Sequence, residues 1–179
     1  ISCEGQFETH SGTNIIIAAD KTVNADSFRH SADSSEPYTK LTIYGSLNVK
    51  NTFDLQYNSG STEILIDSSG NLVANEITKT NGTYTKSTGK DSSGNDLATG
   101  YSITNRGTIQ VGTSRNLPAS FIIKNDGTIK DKDSATGATY TFAGTYDNSS
   151  TGTLIVDDGS VTNTAAEISF PSTKSSMEY

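Results

Sequence analysis

The sequence predicts an all-β fold, a right-handed parallel β-helix (β-solenoid) with loop insertions, and three observations carry that reading. A short apolar strand, a polar turn with a glycine and a second short strand recur five times along the chain. Sustained helical spacing of apolar residues is nearly absent, and β-branched residues dominate the apolar set. Large apolar residues are scarce, with only 32% of the 179 residues hydrophobic, against a usual share near half. A compact two-layer domain would need a thicker core. A solenoid needs only one or two side chains at each level, because a unit that cannot bury its own apolar face stacks on its neighbours.

The chain divides into an N-terminal cap or arm (1–40), coils (41–170) and a tail (171–179). Asn14-Ile-Ile-Ile-Ala-Ala19 is a first rung or cap, and Asn24 to Ala32 is compatible with a helical turn. The repeated units are Leu41–Val49, Ile64–Val73, Ile103–Val111, Phe121–Ile129 and Leu154–Val161. Further strands are expected at 53–57, 139–143, where polar and apolar residues alternate, and 167–170. Residues 80–100, and 131–138 with 145–152, have the composition of insertions.

The marker glycines Gly45, Gly70, Gly107, Gly127 and Gly159 stand 25, 37, 20 and 32 residues apart. Two of these intervals fit one solenoid turn of roughly 20–30 residues, and the long ones contain the expected insertions. A turn such as Asn125-Asp126-Gly127 predicts a residue at positive φ, where glycine sits comfortably. The same signal marks a type I′ hairpin. An antiparallel β-sandwich is therefore the alternative. The likeness between copies, including their Gly-Thr-Ile exits, favours the solenoid.

A net charge of −7 argues against nucleic-acid or anionic-membrane partners, both of which demand basic surface. No stretch approaches the ~20 apolar residues of a transmembrane helix. The single cysteine, Cys3, excludes an intramolecular disulfide. Ile1-Ser2-Cys3 resembles the end of a lipoprotein processing site, although an incidental thiol explains it as well.

Catalytic constellations are poor, and no cofactor is expected. Asp157-Asp158 is the best carboxylate pair, followed by Asp131 and Asp133, yet adjacent residues of a strand point to opposite faces and Asp-Asp-Gly is turn chemistry. The same four aspartates are the candidate calcium ligands, without EF-hand or β-roll spacing. His10 and His30 have no metal-ligand spacing. Thr-x-Thr pairs, among them Thr139/Thr141 and Thr162/Thr164, are too unevenly spaced for a flat ice-binding face. Tyrosines 38, 44, 57, 84, 101, 140 and 146 could form a glycan-stacking surface.

Ser102-Ile103-Thr104-Asn105-Arg106-Gly107-Thr108-Ile109 and Lys124-Asn125-Asp126-Gly127-Thr128-Ile129 resemble coils of bacterial secreted β-helices. Filamentous-haemagglutinin-like exoproteins and autotransporter passenger domains are the families meant, and the likeness covers residues 40–170. It implies an extracellular or cell-surface protein that serves adhesion or forms a fibre or coat. A rod of stacked coils has an unpaired edge at each end, which templates pairing with another chain. The expected function is accordingly self-assembly into a filament or layer, with the chain itself as partner. The alternatives are an adhesin module gripping a cell-surface glycan or protein through loops 80–100 and 131–150, and a polysaccharide-degrading enzyme.

Overall fold

The computed structural model describes residues 1–10, 14–32, 38–57, 61–80, 101–114, 116–117, 122–132, 139–142, 145–148, 153–155, 160–163, 167–169 and 176–178. The chain folds as a parallel β-solenoid, with no helix among these residues. One sheet has eight strands: β1 (Ser2–Thr9), β3 (Thr22–Ala32), β5 (Ser46–Tyr57), β7 (Asn71–Thr80), β9 (Thr108–Ser114), β12 (Thr128–Asp131), β15 (Thr153–Ile155) and β18 (Ser176–Glu178). The facing sheet has seven: β2 (Asn14–Ile17), β4 (Tyr38–Ile43), β6 (Ser61–Ile66), β8 (Ile103–Asn105), β11 (Ile122–Asn125), β14 (Thr145–Asn148) and β17 (Glu167–Ser169). A third sheet joins β10 (Asn116–Leu117), β13 (Thr139–Phe142) and β16 (Ser160–Asn163). The ladders are parallel, which overturns the antiparallel sandwich.

Each coil sets its residues directly over those of the last, so the core consists of columns. Val23, Leu47, Leu72, Ile109 and Ile129 form one buried column from the larger sheet. Leu41, Ile64, Ile103 and Ile123 form the facing one. A third column changes chemistry partway. It reads Ile17, Ile43, Ile66 and then Asn105, Asn125 and Asn148. Asn105 and Asn125 are fully buried, and Asn105 Nδ2 donates to Asn125 Oδ1 (2.7 Å) and to the Thr128 carbonyl (3.0 Å). Stacking identical amides lets Asn105 Nδ2 serve Asn125 Oδ1, whereas Asn105 Oδ1, which follows Ile66 in the column, is buried without a partner.

Near the amino terminus the core is aromatic. Phe28 stacks between Phe7 and Phe53, with ring centroids 5.3 and 5.5 Å apart and planes tilted by 13°. Burying Phe28 and Phe53 contributes about 1.5–3 kcal/mol each. The long strands shift register between Cys3 and Gln6, Ala25 and Phe28, Val49 and Thr52, and Ala74 and Glu76. These stacked bulges bend the strands.

Four sequence expectations need correction. Asn24 to Ala32 lies within β3 and forms no helical turn, because it pairs with β1 on one side and β5 on the other. The stack also begins ahead of residue 41, since 2–9 and 22–32 are already rungs of the larger sheet. Residues 145–148, read as an insertion, form β14, where only Tyr146 takes an apolar register position, between Ile123 and Ile168.

The fourth concerns the glycines. Gly45, Gly70, Gly107 and Gly127 stack in one column, yet none has a positive φ. They are glycines because the coils touch there. A Cβ on Gly107 would approach the carbonyl oxygens of Gly70 and Asp67 to less than 3.0 Å. Each glycine carbonyl accepts the next coil's ladder bond: Gly45 from Asn71, Gly70 from Thr108, and Gly107 from Thr128. Gly159 lies outside the described residues.

Candidate assembly interface

The two long sheets end on strands bonded along one edge only: β1 and β2 at the amino-terminal end, β18 and β17 at the other. Ile1 extends β1, accepting from the Asn24 amide (2.9 Å) while its ammonium donates to the Thr22 carbonyl (3.0 Å). It heads the inward column of Val23 and is 80% exposed, with no rung over it among the described residues. Together with Phe7, Ile15, Ile17, Val23 and Phe28 it lines an end crevice of 210 Å³. Met177 stands at the far end of the same column, over Leu154.

The first rung is pinned to the second by polar bonds inside the stack. Thr9 Oγ1 lies 2.6 Å from Nδ1 of the buried His30, and Ser31 Oγ donates to the Thr9 carbonyl (2.9 Å). His30 Nε2 is buried and makes no hydrogen bond of full geometry, although the backbone of Glu63 and Thr39 lies close enough to act on the ring. Burial drives the His30 pKa down to about 3, against a smaller opposite pull from the backbone of Glu63 and Thr39. His30 is therefore neutral in the folded chain at ordinary pH, and it works as a structural group within the rung contact.

The outward faces carry stacked polar side chains. Arg29 Nε donates to Asp54 Oδ2 (3.0 Å), and Thr78 Oγ1 donates to Asp54 Oδ1 (3.2 Å). Asn48 Nδ2 donates to Asn24 Oδ1 (2.9 Å). One register column runs through all eight strands of the larger sheet: Ser2, Asn24, Asn48, Val73, Gln110, Lys130, Ile155 and Glu178. The column beside the glycines reads Thr22, Ser46, Asn71, Thr108, Thr128 and Thr153. Threonine does not recur two residues on in these rungs, where Gln110, Lys130 and Ile155 stand instead.

The aspartates are not brought together by the described structure. Asp131 closes β12 opposite Val111, whereas Asp133, Asp157 and Asp158 lie outside the described residues. Among the described residues no group of three His, Cys, Asp or Glu side chains converges for a metal. Of the tyrosines, Tyr44 is exposed at a turn, and Tyr101 is half-buried beneath the Lys124 ammonium, 5.9 Å from the ring centroid. Tyr38, Tyr57, Tyr140 and Tyr146 lie within strands, and Tyr84 lies outside the described residues. Sequence reasoning missed the end crevice and His30. The run of three isoleucines, Ile15 to Ile17, held a signal for the former, because a strand with apolar residues on both faces has an outer face to cover. No family model matches the chain, nor does any curated protein or solved structure.

Proposed function

We propose that this chain is a non-enzymatic structural protein of the extracellular space or cell surface, assembling head to tail into a filament or layer. One observation carries the reading. The columns of Ile1 and Ser2 run unbroken to Met177 and Glu178, so the first and last described rungs of the larger sheet present the same register. Seating β18 of one copy on β1 of the next continues the larger sheet, covers Ile1 and satisfies two free edges at once. Such strand addition draws affinity from main-chain bonds and specificity from side-chain columns. The surface location rests on the likeness of the Asn105–Ile109 and Asn125–Ile129 units to secreted β-helices.

Negative-stain electron microscopy and sedimentation velocity across a concentration series test the assembly. Rods that lengthen with concentration are expected, and Ile1→Asp, which buries a charge in the joint, shortens them. Monomers at every concentration would sink the proposal. Protease shaving of intact cells tests the location, with loss of the chain expected before any cytoplasmic marker.

A further inference from the structure

The turns that follow β4, β6, β8 and β11 stack a charged column along one edge of the solenoid. The amides of Tyr44, Asp67, Arg106 and Asp126 donate to the carbonyls of Ile17, Ile43, Ile66 and Asn105 in the coil before (2.9, 2.9, 2.8 and 2.7 Å). The parallel ladder thus runs one residue past each strand and sets these four residues about 4.8 Å apart. Ile43, Ile66, Asn105 and Asn125, just before them, are buried, and successive strand residues turn to opposite faces. Tyr44 and Arg106 are accordingly exposed, and Asp67 and Asp126 half-buried. Arg106 lies between two carboxylates of its own column and makes no ion pair with either among the described residues. We propose that this edge binds the same edge of a second copy of the chain, side by side and antiparallel, about a twofold axis passing between the Asp67 and Arg106 rungs.

The order of the column selects that partner. Read down the stack it presents a phenol, a negative charge, a positive charge and a negative charge. Twofold rotation reverses the order, so Asp67 faces Arg106 of the second copy and Arg106 faces its Asp67. Each Tyr44 hydroxyl faces an Asp126 carboxylate, a donor against an acceptor. All four positions are complementary at once, as an isologous contact requires. Tyr44 is one of three large hydrophobic side chains exposed among the described residues, and the contact covers it. Other registers fail. An axis through Arg106 sets arginine on arginine and Asp67 on Asp126. An axis through Asp67, or parallel packing in register, sets aspartate on aspartate. Like charges brought together are strongly disfavoured, so the pattern admits one register.

Exposed ion pairs are individually weak, so a single contact of this kind is transient. Copies joined head to tail repeat it along the rod and gain avidity, which turns a filament into a layer. That extension alone rests on the assembly proposed above; the dimer stands on a single chain's surface.

Sedimentation velocity of the Ile1→Asp chain, with its end joint weakened, reads the side contact apart from rod growth. A monomer–dimer equilibrium is expected at about 1 mM chain in low salt. About 1 M salt, which screens charges beyond about 3 Å, should weaken it at least tenfold. Arg106→Asp and Asp67→Arg should each weaken it by about tenfold or more, with an unchanged circular dichroism spectrum. The two substitutions together exchange the charges and restore both ion pairs, so the dimer should return to within about threefold of the parent. A chain that stays monomeric in low salt, a dimer indifferent to the single reversals, or reversals that the double exchange does not rescue would overturn the proposal. Rods that fail to form while this dimer persists would count against end stacking alone.

Discussion

Replacing Gly107 by alanine tests whether the glycine column exists for contact between coils. The added Cβ meets the carbonyl oxygens of Gly70 and Asp67 at less than 3.0 Å, and Ile66 Cγ2 at 3.0 Å. Two of these three obstacles are backbone, and the Gly70 oxygen is already held by the Thr108 amide at 3.0 Å. No side-chain rotation relieves the clash, so the coils must part. Overpacking of this kind costs about 1–3 kcal/mol. Parting also strains the Thr108–Gly70 bond and the Arg106–Ile66 bond of 2.8 Å, each worth about 1 kcal/mol. Alanine stiffens the unfolded chain and returns about 0.4–1 kcal/mol. The expected net loss is about 2–4 kcal/mol. Gly5 is the control: it has a φ of 103° and nothing within 4 Å of an added Cβ. Gly5→Ala carries backbone strain alone, about 1–2 kcal/mol. Urea titration followed by circular dichroism compares the two, with hydrogen exchange to catch stepwise unfolding of a stacked array. A Gly107→Ala chain within about 0.5 kcal/mol of the parent, below even that strain, would refute the contact argument.

Two further predictions follow from the polar core. His30 is neutral when folded because burial lowers its pKa from 6.5 to about 3. The stability it contributes is complete above pH 6.5 and is lost as pH falls toward 3, by up to about 1.4 kcal/mol per unit. Melting temperatures across that window should fall more steeply for the parent than for His30→Leu, and parallel slopes would contradict the assignment. Asn125→Ala removes the acceptor of the 2.7 Å bond from Asn105 and should cost about 1–3 kcal/mol in urea titration; an unchanged midpoint would show that the buried amides do not depend on one another.

The architecture was legible because the strand–glycine–strand unit repeats in both spacing and chemistry. The interval of 37 residues between Gly70 and Gly107 equals that of the Leu72–Ile109 pair, so the insertion within it left the count intact. The reason for the glycines was not legible, since Asn-Asp-Gly signals a turn at positive φ as readily as a contact between coils. The fifth unit was misread for a related reason. Leu154 to Val156 looks like an entering strand, but β15 is an exit strand paired with β12. The preceding β14, Thr-Tyr-Asp-Asn, has only one large apolar residue to announce it. β3 was obscured because its inward positions include His30 and small residues, where pairing on both edges overrides propensity. Only the run Ile15 to Ile17 hinted at the end crevice, because the crevice arises from the two described sheets starting one rung apart.

The assembly claim is tested most directly by joining the first and last positions of the Ser2–Glu178 register column covalently. Ser2→Cys with Glu178→Cys, in a Cys3→Ser background, leaves thiols only at the first and last positions of that column. Stacking β18 on β1 brings the two Cα atoms to about 4.8 Å, inside the range that a disulfide spans. Mild oxidation should then yield a ladder of covalent oligomers on a reducing-agent-sensitive gel, whereas either single-cysteine chain stops at dimers. A double-cysteine chain that stays monomeric, with both thiols still free, would contradict head-to-tail stacking.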